Sequence, residues 1–286
     1  MSHSAGAAPT NLPESVGLSR LDHAEDQRPR FRLTFRPPCS KQSSVKILIL
    51  EHETESPAGF LGGWARRRGH SLETLDVPAL TAWPDPSECD AIVSLGSDCS
   101  AHASGEAWVR REVAFLRESH QVEVPILGIC FGGQALALAL GGTVRRAHSL
   151  EVGWTVMDSY APDLVPRGPW FRWHEDVFSV PPGGREIARS HAGPMAFASG
   201  LSVGLQFHPE VDSSVIRGWV DGARQRIFDL SIDAHSLLAD PAAVEDAAKA
   251  RAEDLFDRVA RYWHERSRRS SATPRPHSRP SPEDDR

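Results

Sequence analysis

Two short stretches of this chain carry the residue types that make a nucleophile and its base. The first, Pro125 to Leu140, reads PILGICFGGQALALAL. Its opening, Pro125-Ile126-Leu127-Gly128-Ile129, is a short apolar run of the kind that forms a buried strand. Ala135 to Leu140 is strongly helix-forming. Cys130 therefore falls on a sharp strand-to-helix turn, where Gly128, Gly132 and Gly133 relieve backbone crowding. Such a turn lifts one side chain to the C-terminal edge of a sheet. A helix N-terminus beside it favours a thiolate and offers free N–H groups to an oxyanion. The second stretch, Gly204 to Glu210, reads GLQFHPE. Leu205-Gln206-Phe207 has strand character, and alternate strand residues share a face, which brings His208 and Glu210 to one side. An imidazole there can take a thiol proton, and a carboxylate can fix its tautomer and stabilise the imidazolium. Each stretch alone has an ordinary reading: Cys130 as a small buried hydrophobe, His208-Pro209-Glu210 as a surface turn. The two together favour a thiol nucleophile with its base and orienting acid.

The elements that must position these groups follow the order of an α/β fold. Val45 to Leu50 and Ala91 to Leu95 are apolar enough to be central parallel strands, with a weaker strand over 71–77. Gly59 to Gly69 reads as a helix closed by glycine. Glu106 to His120 is an amphipathic helix with Trp108, Val109, Val113 and Leu116 inward. This β-α-β-β-α-β-α order predicts a flavodoxin-like doubly wound, mainly parallel sheet, whose ligand sites lie at the C-terminal strand ends. Gly96-Ser97 and Cys130 both fall at such ends. From 142 to 207 short strands at 143–146, 154–157, 170–180, 186–190, 196–198 and 202–207 alternate with turns. They read as antiparallel strands added to one edge of that sheet. Val211 to Gln225 reads as a helix, and Asp240 to Arg268 as a longer one. The expected organisation is a disordered extension over 1–43, the main domain over 44–227, a helical extension over 228–268 and a disordered tail over 269–286.

The chain has 286 residues and 40% hydrophobic content, enough for one large α/β domain with additions. A net charge of −6 argues against a general nucleic-acid binder. Cys39, Cys89, Cys99 and Cys130 form no CxxC pair and have no Cys/His metal spacing, which reads as reduced thiols in a cytoplasmic protein. No run is long enough for a membrane span, and the N-terminus lacks the pattern of a secretion signal. Neither a metal nor a cofactor is expected.

GICFGGQ (Gly128–Gln134) and GLQFHPE (Gly204–Glu210), in this order and at this separation, resemble the two signatures of class I, or triad, glutamine amidotransferases. HETESPAGFLGGWARRRGH, Glu151-Val152-Gly153-Trp154 and the run from Trp173 to Phe178 resemble the standalone, GMP-synthase-like branch. The resemblance covers roughly residues 45–226. It implies that Cys130 attacks the side-chain amide of glutamine, that His208 protonates the departing ammonia and then activates water, and that Glu210 orients His208. It places the oxyanion between the N–H of Phe131 and one from the Gly96-Ser97 loop. Gln134 would line the glutamine pocket, with Trp173 and His174 at the amino-acid end of the substrate. The family usually carries Gly-Gly-Pro at the oxyanion loop, whereas this chain has Gly96-Ser97-Asp98-Cys99. That departure implies either a stiffer loop that depends on a partner or a pocket altered by Asp98 and Cys99. Alternatively, Ser97 simply tolerates the backbone angles.

The chain contains neither a GxxxxGK phosphate loop nor an SGGxDS-type pyrophosphatase motif. Any ATP-dependent use of the ammonia would fall to a separate synthetase. Two other functions fit the same residues less directly: a self-sufficient hydrolase of another γ-glutamyl compound, and a non-catalytic binding or regulatory module.

Overall fold

The computed structural model describes residues 44–102, 105–237 and 241–272. The extension expected over 1–43 and the end of the tail, 273–286, lie outside these residues. The elements run in the order β1 (Lys46–Glu51), α1 (Gly59–Arg67), β2 (Ser71–Asp76), β3 (Ala91–Ser94), α2 (Ala107–Gln121), β4 (Ile126–Ile129) and α3 (Phe131–Ala139). There follow β5 (Val144–Thr155), β6 (Asp158–Ser159), β7 (Trp170–Phe178), β8 (Arg185–Arg189), β9 (Pro194–Ser199) and β10 (Ser202–Leu205). The chain then continues as α4 (Ser213–Gly222), α5 (Arg224–Asp229), α6 (Ala234–Leu237) and α7 (Pro241–Ala272).

The main sheet has the order β2-β1-β3-β4-β10-β9-β8-β6. From β2 to β10 every pairing is parallel. Their 2-1-3-4-5 sequence is the flavodoxin-like winding, which reverses between β1 and β3 and opens a crevice there. β3, β4 and β10 are buried throughout, as strands covered on both faces must be. On one face, Ile47, Ile49, Val93, Leu127 and Val203 pack with Phe60, Leu61 and Trp64 of α1 and with Leu255, Phe256 and Val259 of α7. On the other, Leu48, Leu50, Ile92 and Ile126 pack with Phe115 and Leu116 of α2 and Leu136 of α3.

The antiparallel strands divide into two groups. β9, β8 and β6 extend the sheet beyond β10, as the sequence predicts. β5 and β7 instead pair with each other as a separate two-stranded sheet. The sequence suggested two pieces for β5 because Arg145-Arg146 and His148 interrupt its apolar alternation. It is one long strand with a register shift between Arg146 and Glu151, carried through by its pairing with β7. This small sheet touches the strand-end region where β10 leaves the main sheet, through an antiparallel bridge between Phe171 and His208.

Candidate active site

Cys130 sits between β4 and α3 with φ 51° and ψ −105°, a backbone conformation that disfavours side chains. It is one of three non-glycine residues at positive φ among the described residues. The turn is held from three sides. The Cys130 N–H donates to the Leu205 carbonyl, the Gln134 N–H to the Cys130 carbonyl, and the Gly132 N–H to the Leu95 carbonyl. Strain of this kind persists only where surrounding bonds over-determine it, as here. The first turn of α3 lies so close to β3 that a side chain at Gly132 would meet the Ser94 backbone. At the start of α3, the Phe131 N–H belongs to the set of amides that a helix leaves unpaired.

His208 follows β10. Its backbone N–H donates to the Phe171 carbonyl at 2.9 Å. Its ring Nδ1 lies 2.7 Å from Glu210 Oε1, which fixes the proton on Nδ1 and leaves Nε2 for the thiol. The indole of Trp219 covers the imidazole edge-on, with ring centroids 4.9 Å apart. Burial alone would lower the His208 pKa. The Glu210 charge and the sulfur of Cys130, both hydrogen-bonded to the ring, outweigh it and push the value up to about 10. Glu210 is fixed through its backbone too, since its carbonyl accepts the Phe60 N–H at the start of α1. Cys130 Sγ is also 3.7 Å from Gln206 Nε2 and 3.8 Å from the Trp173 carbonyl. Among the other described thiols, burial pushes Cys89 up to about 11 and raises Cys99 as well. Neither is placed to serve as a nucleophile.

Gly96 lies over this pair. A Cβ on it would come within 3.0 Å of His208 Cε1 and 3.9 Å of Cys130 Cβ. Ser97 is not at positive φ, so serine fits the backbone at this position. The loop is tied down by Glu53, whose Oε1 accepts from Ser97 Oγ at 2.7 Å and from the Asp98 N–H at 2.6 Å.

Gln134 is buried, and its Nε2 donates to the Asp176 carbonyl at 3.2 Å. His174 is buried as well. Its Nδ1 donates to the same carbonyl, and its Nε2 lies 3.1 Å from Glu151 Oε2. Glu151 also pairs with buried Arg172 at 2.7 Å. Burial would raise the Glu151 pKa, but the neighbouring His174 and Arg172, with the Ser190 hydroxyl, hold it below the usual carboxylate range. Trp173 is half-buried and packs on Trp219. Asp176, which the sequence did not single out, is 6% exposed. Its Oδ2 accepts from Ser100 Oγ at 2.6 Å, while Oδ1 is buried without a hydrogen-bond partner. The signal for it was its place two residues beyond His174 on β7, where alternate residues share a face.

Among the described residues no group of three or more His, Cys, Asp or Glu side chains is placed to hold a metal ion. Nor, among them, is any helix long and apolar enough to cross a membrane.

A flavodoxin-like sheet thus carries a cysteine elbow after β4, a His-Glu pair just beyond β10 and a glycine loop above them. Residues 67–218 match the family model for class I glutamine amidotransferases. The chain is 35% identical over 127 residues to a subunit of the glutamine-hydrolyzing GMP synthase of Saccharolobus solfataricus, covering 40% of this chain and 68% of that protein. It is 39% identical over 97 residues to the glutamine-hydrolyzing GMP synthase of Thermus thermophilus, of which it spans only 19%. The crystal structure of a glutamine amidotransferase from Thermotoga maritima superposes with a TM-score of 0.70 at 26% identity, covering 77% of this chain and 99% of that one. This chain belongs to the class I glutamine amidotransferase family, and it is an enzyme of that type.

Proposed function

We propose that the chain hydrolyses the side-chain amide of glutamine through a γ-glutamyl thioester on Cys130 and passes the ammonia to a separate ATP-dependent synthetase. Cys130 Sγ attacks the amide carbon after giving its proton to His208. The carbonyl oxygen becomes an oxyanion held by the Phe131 N–H and one from the Gly96-Ser97 loop. His208 returns the proton to the amide nitrogen, the C–N bond breaks and ammonia leaves. A water deprotonated by His208 then attacks the thioester, releasing glutamate and restoring the thiol. The observation that carries this reading is the His208 imidazole, held by Glu210 at 2.7 Å and raised by both Glu210 and Cys130.

Recognition of the amino-acid end is assigned to β7. Asp176 offers a buried carboxylate whose Oδ1 has no hydrogen bond and only the Arg146 guanidinium, 3.9 Å away, as an ion-pair partner, suited to the substrate's ammonium group. Gln134 lines the same pocket, while Trp173 forms a wall and His174, held between Glu151 and the Asp176 backbone, keeps β7 in register. The synthetase partner is inferred from the relatives' names, which describe glutamine-hydrolyzing GMP synthases. Ammonia release from glutamine is the test, run beside Cys130→Ala. Release that disappears in the variant supports the reading. Failure of both glutamine and an electrophilic glutamine analogue to react at Cys130 would overturn it. Turnover of γ-glutamyl amines but not glutamine would move the assignment to a self-sufficient γ-glutamyl hydrolase.

A further inference from the structure

Behind the Gly96 loop lies a buried polar cluster that the reaction does not use directly. His52, just after β1, has its Nε2 2.8 Å from Glu112 Oε2 and its Nδ1 3.1 Å from the Gly96 carbonyl oxygen. The other oxygen of Glu112 accepts from Ser94 Oγ at 2.6 Å. Glu112 and Ser94 are fully buried and His52 nearly so. The imidazole is gripped by aromatic rings, stacked on Trp108 at 5.3 Å and edge-on to Phe131 at 4.8 Å. A charged carboxylate on the apolar side of α2 is costly unless it is paired and hydrogen-bonded. Here one of its two partners, His52, reaches on to a backbone carbonyl.

That carbonyl belongs to the loop above the thiol. A carbonyl oxygen only accepts, so His52 Nδ1 carries a proton and donates to it. In a trans peptide the C=O and the following N–H point in opposite directions. β3 lies between β1 and β4 in the sheet. A Gly96 carbonyl turned to His52, on the β1 side, therefore turns the Ser97 N–H toward the β4 side, where Cys130 stands. The preceding carbonyl, of Leu95, is held from the opposite side by the Gly132 N–H, which leaves the Gly96 unit to be oriented by His52.

We infer that His52 and Glu112 are positioning residues that set the Gly96–Ser97 peptide so that its N–H, not its carbonyl, faces the oxyanion. The inference rests on the reading of Cys130 as the nucleophile. The ring is protonated on both nitrogens: Nε2–H donates to Glu112, which keeps the imidazole in place, and Nδ1–H holds the Gly96 carbonyl out of the site. Glu53 adds a second tie one residue further on, through Ser97 Oγ and the Asp98 N–H. The amide fixed this way is an oxyanion donor prepared before substrate arrives, which is where such donors have their largest effect.

The test compares Glu112→Gln with the double variant His52→Phe/Glu112→Gln in the full-length chain. In E112Q the new amide still accepts from Ser94 and donates to His52 Nε2, which leaves Nδ1–H on the Gly96 carbonyl. In the double variant phenylalanine fills the ring's place between Trp108 and Phe131, no charge is stranded, and the donor is gone. Three quantities are read: kcat and KM for glutamine, the rate of Cys130 alkylation by iodoacetamide, and amide hydrogen exchange over residues 96–98. The double variant is expected to lose about 100-fold in kcat relative to E112Q with KM within about twofold, since one oxyanion donor is lost. Alkylation is expected to hold within about twofold and exchange at 96–98 to rise by about tenfold or more. Unchanged kcat and exchange would overturn the inference and make the pair an ordinary core contact. A parallel fall in alkylation would also overturn it, because the thiol itself would then be disturbed. If the parent chain turns over no glutamine yet alkylates normally, the proposed function fails, and exchange at 96–98 still decides whether His52 orients the loop.

Discussion

Replacing Gly132 with alanine tests whether the first turn of α3 is pressed against β3 as closely as the catalytic geometry requires. A Cβ at this position would stand 2.6 Å from the Ser94 carbonyl carbon, with Ser94 O and Oγ nearer still, whereas ordinary van der Waals contact begins at 3.4 Å. The neighbour is backbone in a central strand, so the helix must give way, by about 0.8 Å or more in a close-packed interior. Overpacking of this kind costs about 3 kcal/mol, or roughly 6–12 °C in Tm for a domain of this size. The same movement carries the Phe131 N–H out of place, and a displacement near 1 Å in a reacting site costs about 100-fold in rate. Urea unfolding with thermal melts gives the first quantity, and initial rates of ammonia release give the second. A G132A protein with an unchanged midpoint and rate would refute the reasoning, because the helix would not then lie against Ser94.

Gly218, inside α4 with open space where an alanine methyl would stand, should respond in the opposite direction. G218A should gain about 0.5–1 kcal/mol in the same urea assay. Asp176→Asn keeps shape and removes charge. KM for glutamine should rise about tenfold or more through loss of a charge-assisted bond, with kcat within about threefold in steady-state assays. Glu210→Gln removes the leading cause of the raised His208 pKa, so NMR titration of the ring should place it below about 10, by at least about 1 pH unit. Glu151 has a folded pKa held below its ordinary 4.5. Its stabilisation is therefore complete above about pH 4.5 and lost as pH falls through the lower folded value. Urea midpoints should decline less steeply with acid in Glu151→Gln than in the parent.

The sequence carried the parallel strands and the Cys130 turn because each is a local pattern, an apolar run or a glycine-flanked corner; the expected alternation through His208 and Glu210 did not hold, since β10 ends at Leu205 and the pair meets just beyond it. The partners of those residues were less legible. Glu112 stands three residues after Val109 and four before Leu116, on the apolar side of α2, yet a lone carboxylate in an amphipathic helix reads as solvent-facing. Ser94 and His52 together account for its burial, and the second is a contact across sixty residues of chain. The separate β5–β7 sheet was hidden for a similar reason. Strand segments announce themselves by composition, while their pairing is settled by tertiary packing. Asp176 lay in a stretch already matched to the family, but a carboxylate oxygen buried without a hydrogen bond becomes visible only with the fold.

The bridge between Phe171 and His208 also bears on how this enzyme type can change. Cys130, His208 and the Gly96 loop sit at the ends of β4, β10 and β3, while Asp176, Trp173 and His174 belong to the β5–β7 sheet, which meets them through that bridge and through the Trp173 and Asp176 carbonyls. The two tasks are thus written on pieces of chain with different neighbours. If the β5–β7 sheet recognises substrate as proposed, exchanges of its side chains would alter which amides fit as long as the Phe171 and Trp173 carbonyls keep their contacts with His208 and Cys130.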